Sequence, residues 1–136
     1  MSNARPISQL PWQVSRDEFL AAARDVEEGA CCMFVIDASI PQSARSGYAA
    51  LVIAYARADE PVCIFADGSA ALLIRSGGLS SAQVVARRIL DQMRRLQLDD
   101  TLRAGITLVG SDPDAALEAS RTVAESGGPG SISVAG

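Results

Sequence analysis

The chain has 136 residues, 49% of them hydrophobic and 21% charged, with a formal net charge of −4; this is one domain's worth of chain, long enough to bury roughly two thirds of its unfolded surface. It contains no histidine, and all 12 basic residues are arginines, which excludes a Ser-His-Asp triad, a Cys-His dyad, a histidine metal site, a Walker A lysine and Schiff-base chemistry. The acidic balance and 4% aromatic content also argue against a nucleic-acid surface, which requires a basic patch with stacking rings.

In chain order, residues 1–14 carry no regular pattern and read as an irregular N-terminal segment, with a single domain over 15–136. Ser15–Gly29, "SRDEFLAAARDVEEG", reads as a helix. Ser15 and Glu18 form a capping box, and Phe19, Leu20, Ala23 and Val26 form the apolar stripe. Cys31–Ser39, "CCMFVIDAS", is a continuous apolar run of the kind buried on both faces of a sheet. Gln42–Ala58 reads as a second helix, weakened by Gly47.

Pro61 opens a hairpin, "PVCIFADGSAALLIR", whose Asp67-Gly68 turn separates two apolar runs and calls for positive φ at both central residues. Ser80–Leu98 is the clearest helix: Val85, Ile89, Met93 and Leu96 point to the core, while Arg87, Arg88, Arg94 and Arg95 lie on or beside the exposed face. Leu102–Gly110 reads as a strand. Next comes a helix capped around Asp112 with Pro113 at its first position and a Gly-Gly stop, and Ser131–Ala135 is a last short strand. Phe34, Ile36, Cys63, Leu72, Ile106 and Leu108 are the expected buried set.

The apolar runs are far too short to span a bilayer, and the chain opens on no secretory pattern, so a cytoplasmic location without membrane contact is expected. Cys31, Cys32 and Cys63 are odd in number and lack CxxC spacing. They read as small core hydrophobes in a reducing compartment. The order α-β-α-β-β-α-β-α-β contains a central βαββαβ unit, the ferredoxin-like arrangement. This is an α+β fold in which helices pack on the faces of an antiparallel sheet, and such a fold hosts many functions.

Four stretches in this order look like one known pattern: "SRDEFLAAA", "MFVIDAS", "IFADGSAALLI" and "RAGITLVGSDPDAALEASRTVAESGGPGSISV". From about Ser15 to its end the chain resembles the GGDEF domain, the nucleotidyl-cyclase-like domain of bacterial diguanylate cyclases. The family's "RYGGDEFAILL" falls on Ile64–Ile74 without a gap. Its two glycines become Ala66 and Asp67, its two acids Gly68 and Ser69, and its phenylalanine Ala70.

In the family an acid at this tip and acids of a "DxD" strand end hold two metal ions. Here the first strand-end acid survives as Asp37 and the second becomes Ser39. The loop and helix that carry the family's guanine contacts are shortened. Two-metal phosphoryl chemistry needs clustered carboxylates, so the resemblance implies a degenerate, non-synthesising domain with no metal or other cofactor. Asp37 remains as a vestige that reads first as a strand-end cap. Asp67 reads first as a turn former.

The family also has an inhibitory product site, an "RxxD" motif with a further arginine on the helix after the hairpin. By the family's spacing these positions fall on Arg57, Glu60 and Arg88. The resemblance therefore implies a cyclic di-GMP receptor using an RxxE site, since guanidinium groups grip phosphate and a carboxylate accepts from guanine N–H groups. The alternative is a ligand-free domain acting through a partner protein or self-association. An active cyclase is the reading that the missing acids oppose.

Overall fold

Seven consecutive apolar residues, Ala30–Ile36, form strand β2, and every one of them is buried. A strand with no polar face must be covered on both sides, and this sets the architecture. The computed structural model describes residues 13–26, 29–56, 60–98 and 101–135. In chain order the remaining elements are β1 (Gln13–Val14), α1 (Arg16–Arg24), α2 (Gln42–Tyr55), β3 (Val62–Ile64), β4 (Ala70–Ile74), α3 (Gly78–Arg95), β5 (Leu102–Leu108), α4 (Pro113–Ser126) and β6 (Ile132–Val134).

The six strands form one sheet in the order β1-β3-β4-β2-β5-β6. Its four inner strands, β3-β4-β2-β5, are antiparallel throughout, as in the ferredoxin-like arrangement. The sheet as a whole is mixed, because β1 joins β3 and β6 joins β5 in parallel. Strand β1 lies inside the segment expected to be irregular.

Alternation along β2 divides the core in two. Ala30, Cys32, Phe34 and Ile36 pack with Val52 of α2 and with Ala82, Val85, Ala86 and Ile89 of α3. Cys31, Met33 and Val35 pack with Phe19, Leu20 and Ala23 of α1 and with Leu117 and Ala124 of α4. The two central helices thus share one face, as expected, and the outer pair takes the other. All three cysteines are free and buried, and burial pushes the Cys31 thiol up to about 12, the behaviour of packing residues.

The local signals explain where elements start and stop. Ser15 and Glu18 make both reciprocal bonds of the capping box. Asp112 accepts from the Ala115 amide with Pro113 following. Helix α3 ends in a double-bonded turn, with the Leu98 amide donating to Met93 O and the Gln97 amide to Arg94 O. Gln97 adopts φ +61°, the left-handed position usually given to glycine.

That turn corrects one expectation: Leu96 falls at the cap and is 48% exposed, while Leu98 packs against the core in its stead. Leu108 is the second correction, at 50% exposed. It follows the parity of Leu102, Ala104 and Ile106 but stands opposite Gly78, which has no side chain to cover it. Phe34, Ile36, Cys63, Leu72 and Ile106 are buried as expected.

Two glycines give opposite expectations for one substitution. A methyl group on Gly105 of β5 would lie 2.1 Å from Ser120 O and 2.7 Å from the Ala124 nitrogen, both backbone atoms of α4. On Gly47 of α2 it would meet nothing within 4 Å. Thermal or urea unfolding should therefore show Gly105→Ala losing more than about 2 kcal/mol and Gly47→Ala gaining about 0.5–1 kcal/mol.

Candidate functional site

The β3–β4 hairpin has a tip and an open end, and the candidate residues divide between them. At the tip, the Phe65 amide donates to Ser69 O and the Gly68 amide to Phe65 O. Only Gly68 has positive φ, +87°. This is a three-residue loop with a bulge at the glycine, in place of the two-residue Asp67-Gly68 turn that the sequence suggested.

Asp67 organises the turn as its type dictates. Its Oδ1 accepts from the Ser69 amide at 3.1 Å and from the Ser69 hydroxyl at 2.6 Å. Its Oδ2 pairs with Arg121 Nη1 of α4 at 3.1 Å. Arg121 also donates to Ser69 Oγ at 2.7 Å and lies 5.1 Å from the centre of the Phe65 ring, a cation–π distance.

The end of β2 repeats this arrangement. Asp37 Oδ2 accepts from the Ser39 amide at 3.0 Å and from the Ser39 hydroxyl, while Oδ1 pairs with Arg103 Nη2 of β5 at 2.8 Å. In each Asp-x-Ser turn one carboxylate oxygen holds the serine and the other holds an arginine. A third arginine joins the two turns: Arg45, in the first turns of α2, donates to Asp37 O at 3.3 Å, Ile40 O at 3.2 Å and Asp67 O at 3.2 Å. The hairpin tip presses on it, since a Cβ at Gly68 would lie 2.7 Å from Arg45 Cβ.

Both carboxyls are held below their ordinary range. For Asp37 the Ser39 hydroxyl and amide bonds are the largest causes, helped by Arg103. For Asp67, burial pushes upward but is outweighed by the Ser69 bonds and Arg121. This environment does not fit the pair of metal ions that the GGDEF pattern places at a strand end and hairpin tip. A divalent cation needs several hard oxygen ligands, and here each carboxylate faces a guanidinium that neutralises it and repels a cation. Among the described residues no group of three or more acids or cysteines is placed to hold a metal.

At the open end, Glu60 precedes β3. It is 6% exposed, and its Oε1 lies 3.7 Å from Arg88 Nη2 of α3. The structure thus brings together two of the three residues expected for the ligand site; Arg57 lies outside the described residues. Glu60 also lines a cleft of about 310 Å³ with Ile74, Arg75, Ser76, Ser80 and Ser81.

Sequence reasoning missed Arg45, Arg103 and Arg121. The paired Asp-x-Ser turns were the available signal. The arginines that complete them lie 66 and 54 residues away, where no local pattern reaches.

No protein-family model matches the chain, and no curated protein matches it in sequence. Solved structures match its fold. The GGDEF domain of PA1120 (TpbB or YfiN) from Pseudomonas aeruginosa is similar with a TM-score of 0.69 at 19% identity, over 90% of each chain. An EAL/GGDEF domain protein from M. capsulatus gives 0.68 at 17% identity, over 86% of this chain and 91% of that one. The diguanylate cyclase SiaD from Pseudomonas aeruginosa, solved in complex with its activator SiaC, gives 0.70 at 16% identity, over 89% of this chain and 58% of that one. The fold is that of a GGDEF domain, an α+β fold with helices on both faces of its sheet.

The lowered carboxyls set a pH expectation. A group whose folded pKa lies below its unfolded value adds stability above the unfolded value, and that stability is lost as pH falls through the folded pKa. The melting temperature should therefore drop on acidification below about pH 4. In Asp37→Asn/Asp67→Asn the melting temperature should be lower at neutral pH and the fall below pH 4 shallower.

Proposed function

We propose that this domain is a signalling module that makes no cyclic di-GMP and instead binds it at the open end of the β3–β4 hairpin. The carrying observation is the contrast between the two ends of that hairpin. At the tip, Asp37 and Asp67 are committed to serines and arginines. At the open end, Glu60 and Arg88 meet beside a cleft. These two residues, with Arg57, occupy the positions at which the GGDEF resemblance puts an inhibitory product site.

The chemistry suits such a ligand. A carboxylate accepts only, and so matches the N–H groups on guanine's edge. Arginine matches the other guanine edge or a phosphate in two-pronged fashion. As a cytoplasmic signalling domain, it would pass on the bound state through a partner protein or a second copy of itself.

A second reading has its own support. Glu60 is buried and already paired with Arg88, so the pair also serves to tie the start of β3 to α3 without a ligand. SiaD, of similar fold, was solved with a protein partner. On this reading the domain works through protein contacts alone.

Calorimetric titration with cyclic di-GMP separates the two. The receptor reading expects saturable binding that Arg57→Ala weakens about ten- to a hundredfold, the worth of one charge-assisted bond to phosphate. Glu60→Gln should lose less, because the amide keeps one acceptor oxygen. No binding at high micromolar ligand would leave the protein-contact reading. GTP incubated with magnesium or manganese should yield no cyclic di-GMP, and turnover abolished by Asp37→Ala would overturn the non-synthesising reading.

A further inference from the structure

The cleft beside Glu60 is lined by polar groups beyond the Glu60–Arg88 pair. Glu60 contributes a charged group on a residue only 6% exposed. The cleft is also lined by Arg75 and Ser76, which leave the end of β4, and by Ser80 and Ser81 in the first turns of α3. Ile74, Val84 and Val85 supply apolar wall. One cleft therefore presents an acceptor-only carboxylate, a guanidinium, hydroxyls and a hydrophobic surface, all drawn from three different segments.

A ligand that satisfies such a set carries N–H donors for the carboxylate, an anionic group for the guanidinium, and a flat apolar body between them. A guanine nucleotide has all three. Adenine does not, because its Watson–Crick edge offers an acceptor where guanine offers a second N–H group. The volume, about 310 Å³, lies at the small end of ligand sites, roughly 300–1,000 Å³. It suits one nucleotide unit better than an entire cyclic dinucleotide.

We propose that Arg75, with the Ser80 and Ser81 hydroxyls, forms the phosphate-binding half of this cleft, so that one guanine rests on Glu60 and its phosphate on Arg75. This deepens the receptor reading above and rests on it. Arg75 lies outside the RxxE motif and its helix arginine, so it is a separate determinant. Its role is to read the phosphate, whereas that of Glu60 is to read the base.

The two roles are separable with mononucleotides. Calorimetry or nitrogen-15 chemical-shift titration of the full chain with GMP, guanosine and AMP is the test. Wild type should bind GMP about tenfold or more tightly than guanosine, and should prefer GMP to AMP. Arg75→Ala should erase the advantage of GMP over guanosine. Ser80→Asp, which places a carboxylate where the phosphate would lie, should do the same. Arg94→Ala, an exposed arginine further along α3, should keep it, and Glu60→Gln should weaken GMP and guanosine alike. If cyclic di-GMP binds wild type but Arg75→Ala retains the GMP advantage, the Arg75 assignment falls and the receptor reading stands. If wild type binds neither cyclic di-GMP nor GMP at high micromolar concentration, both fall.

Discussion

The burial of β2 is the constraint from which the rest of the structure follows. With seven residues and no polar face, the strand cannot lie at an edge or face water. It takes a central position between β4 and β5 and draws a pair of helices onto each side. Its side chains alternate between the two layers, so Phe34 and Met33, neighbours in sequence, anchor separate cores. Gly105, directly opposite Met33 on β5, lets α4 approach closely enough to seal the second layer. The strand also fixes where the two candidate sites lie. Its C-terminal end delivers Asp37 beside the hairpin tip, while Glu60 and Arg88 meet at the hairpin's other end.

At the tip the fold faces an electrostatic choice. Carboxylates gathered at the end of a buried strand repel one another unless cations offset them. A metal ion can do this, and so can a guanidinium. In this chain Arg103 takes Asp37, Arg121 takes Asp67, and Arg45 ties the carbonyl oxygens of both turns together. A guanidinium is planar, permanently charged and fixed to the backbone, so it organises the turn with no open coordination position. The tip is thus closed by its own side chains, with both carboxylates already paired.

Much of this was legible in the sequence, and the rest was not for identifiable reasons. Continuous apolar patterning located β2, and the Ser15/Glu18 and Asp112/Pro113 signals located two helix starts, because those signals are local. The Asp-Gly pair located the hairpin but not its loop length, since a bulge at Gly68 also satisfies the residue preferences. Leu96 and Leu108 fit the period of their elements yet lie where coverage runs out, and period says nothing about what stands opposite. Strand β1 has two residues, too few for a pattern. At the open end of the hairpin, a family spacing points to Glu60 and Arg88, but their approach depends on how α3 crosses the sheet. The arginines of the tip pair across more than fifty residues and only the folded chain identifies them.

The central claim is that arginines stand where metal ions would be needed. It is tested most directly by manganese binding to the full chain, read from the electron paramagnetic resonance of the free ion, with and without GTP. The account predicts no saturable uptake into the millimolar range, and the same result for Asp37→Asn. Saturable binding in the wild type that Asp37→Asn removes would contradict it.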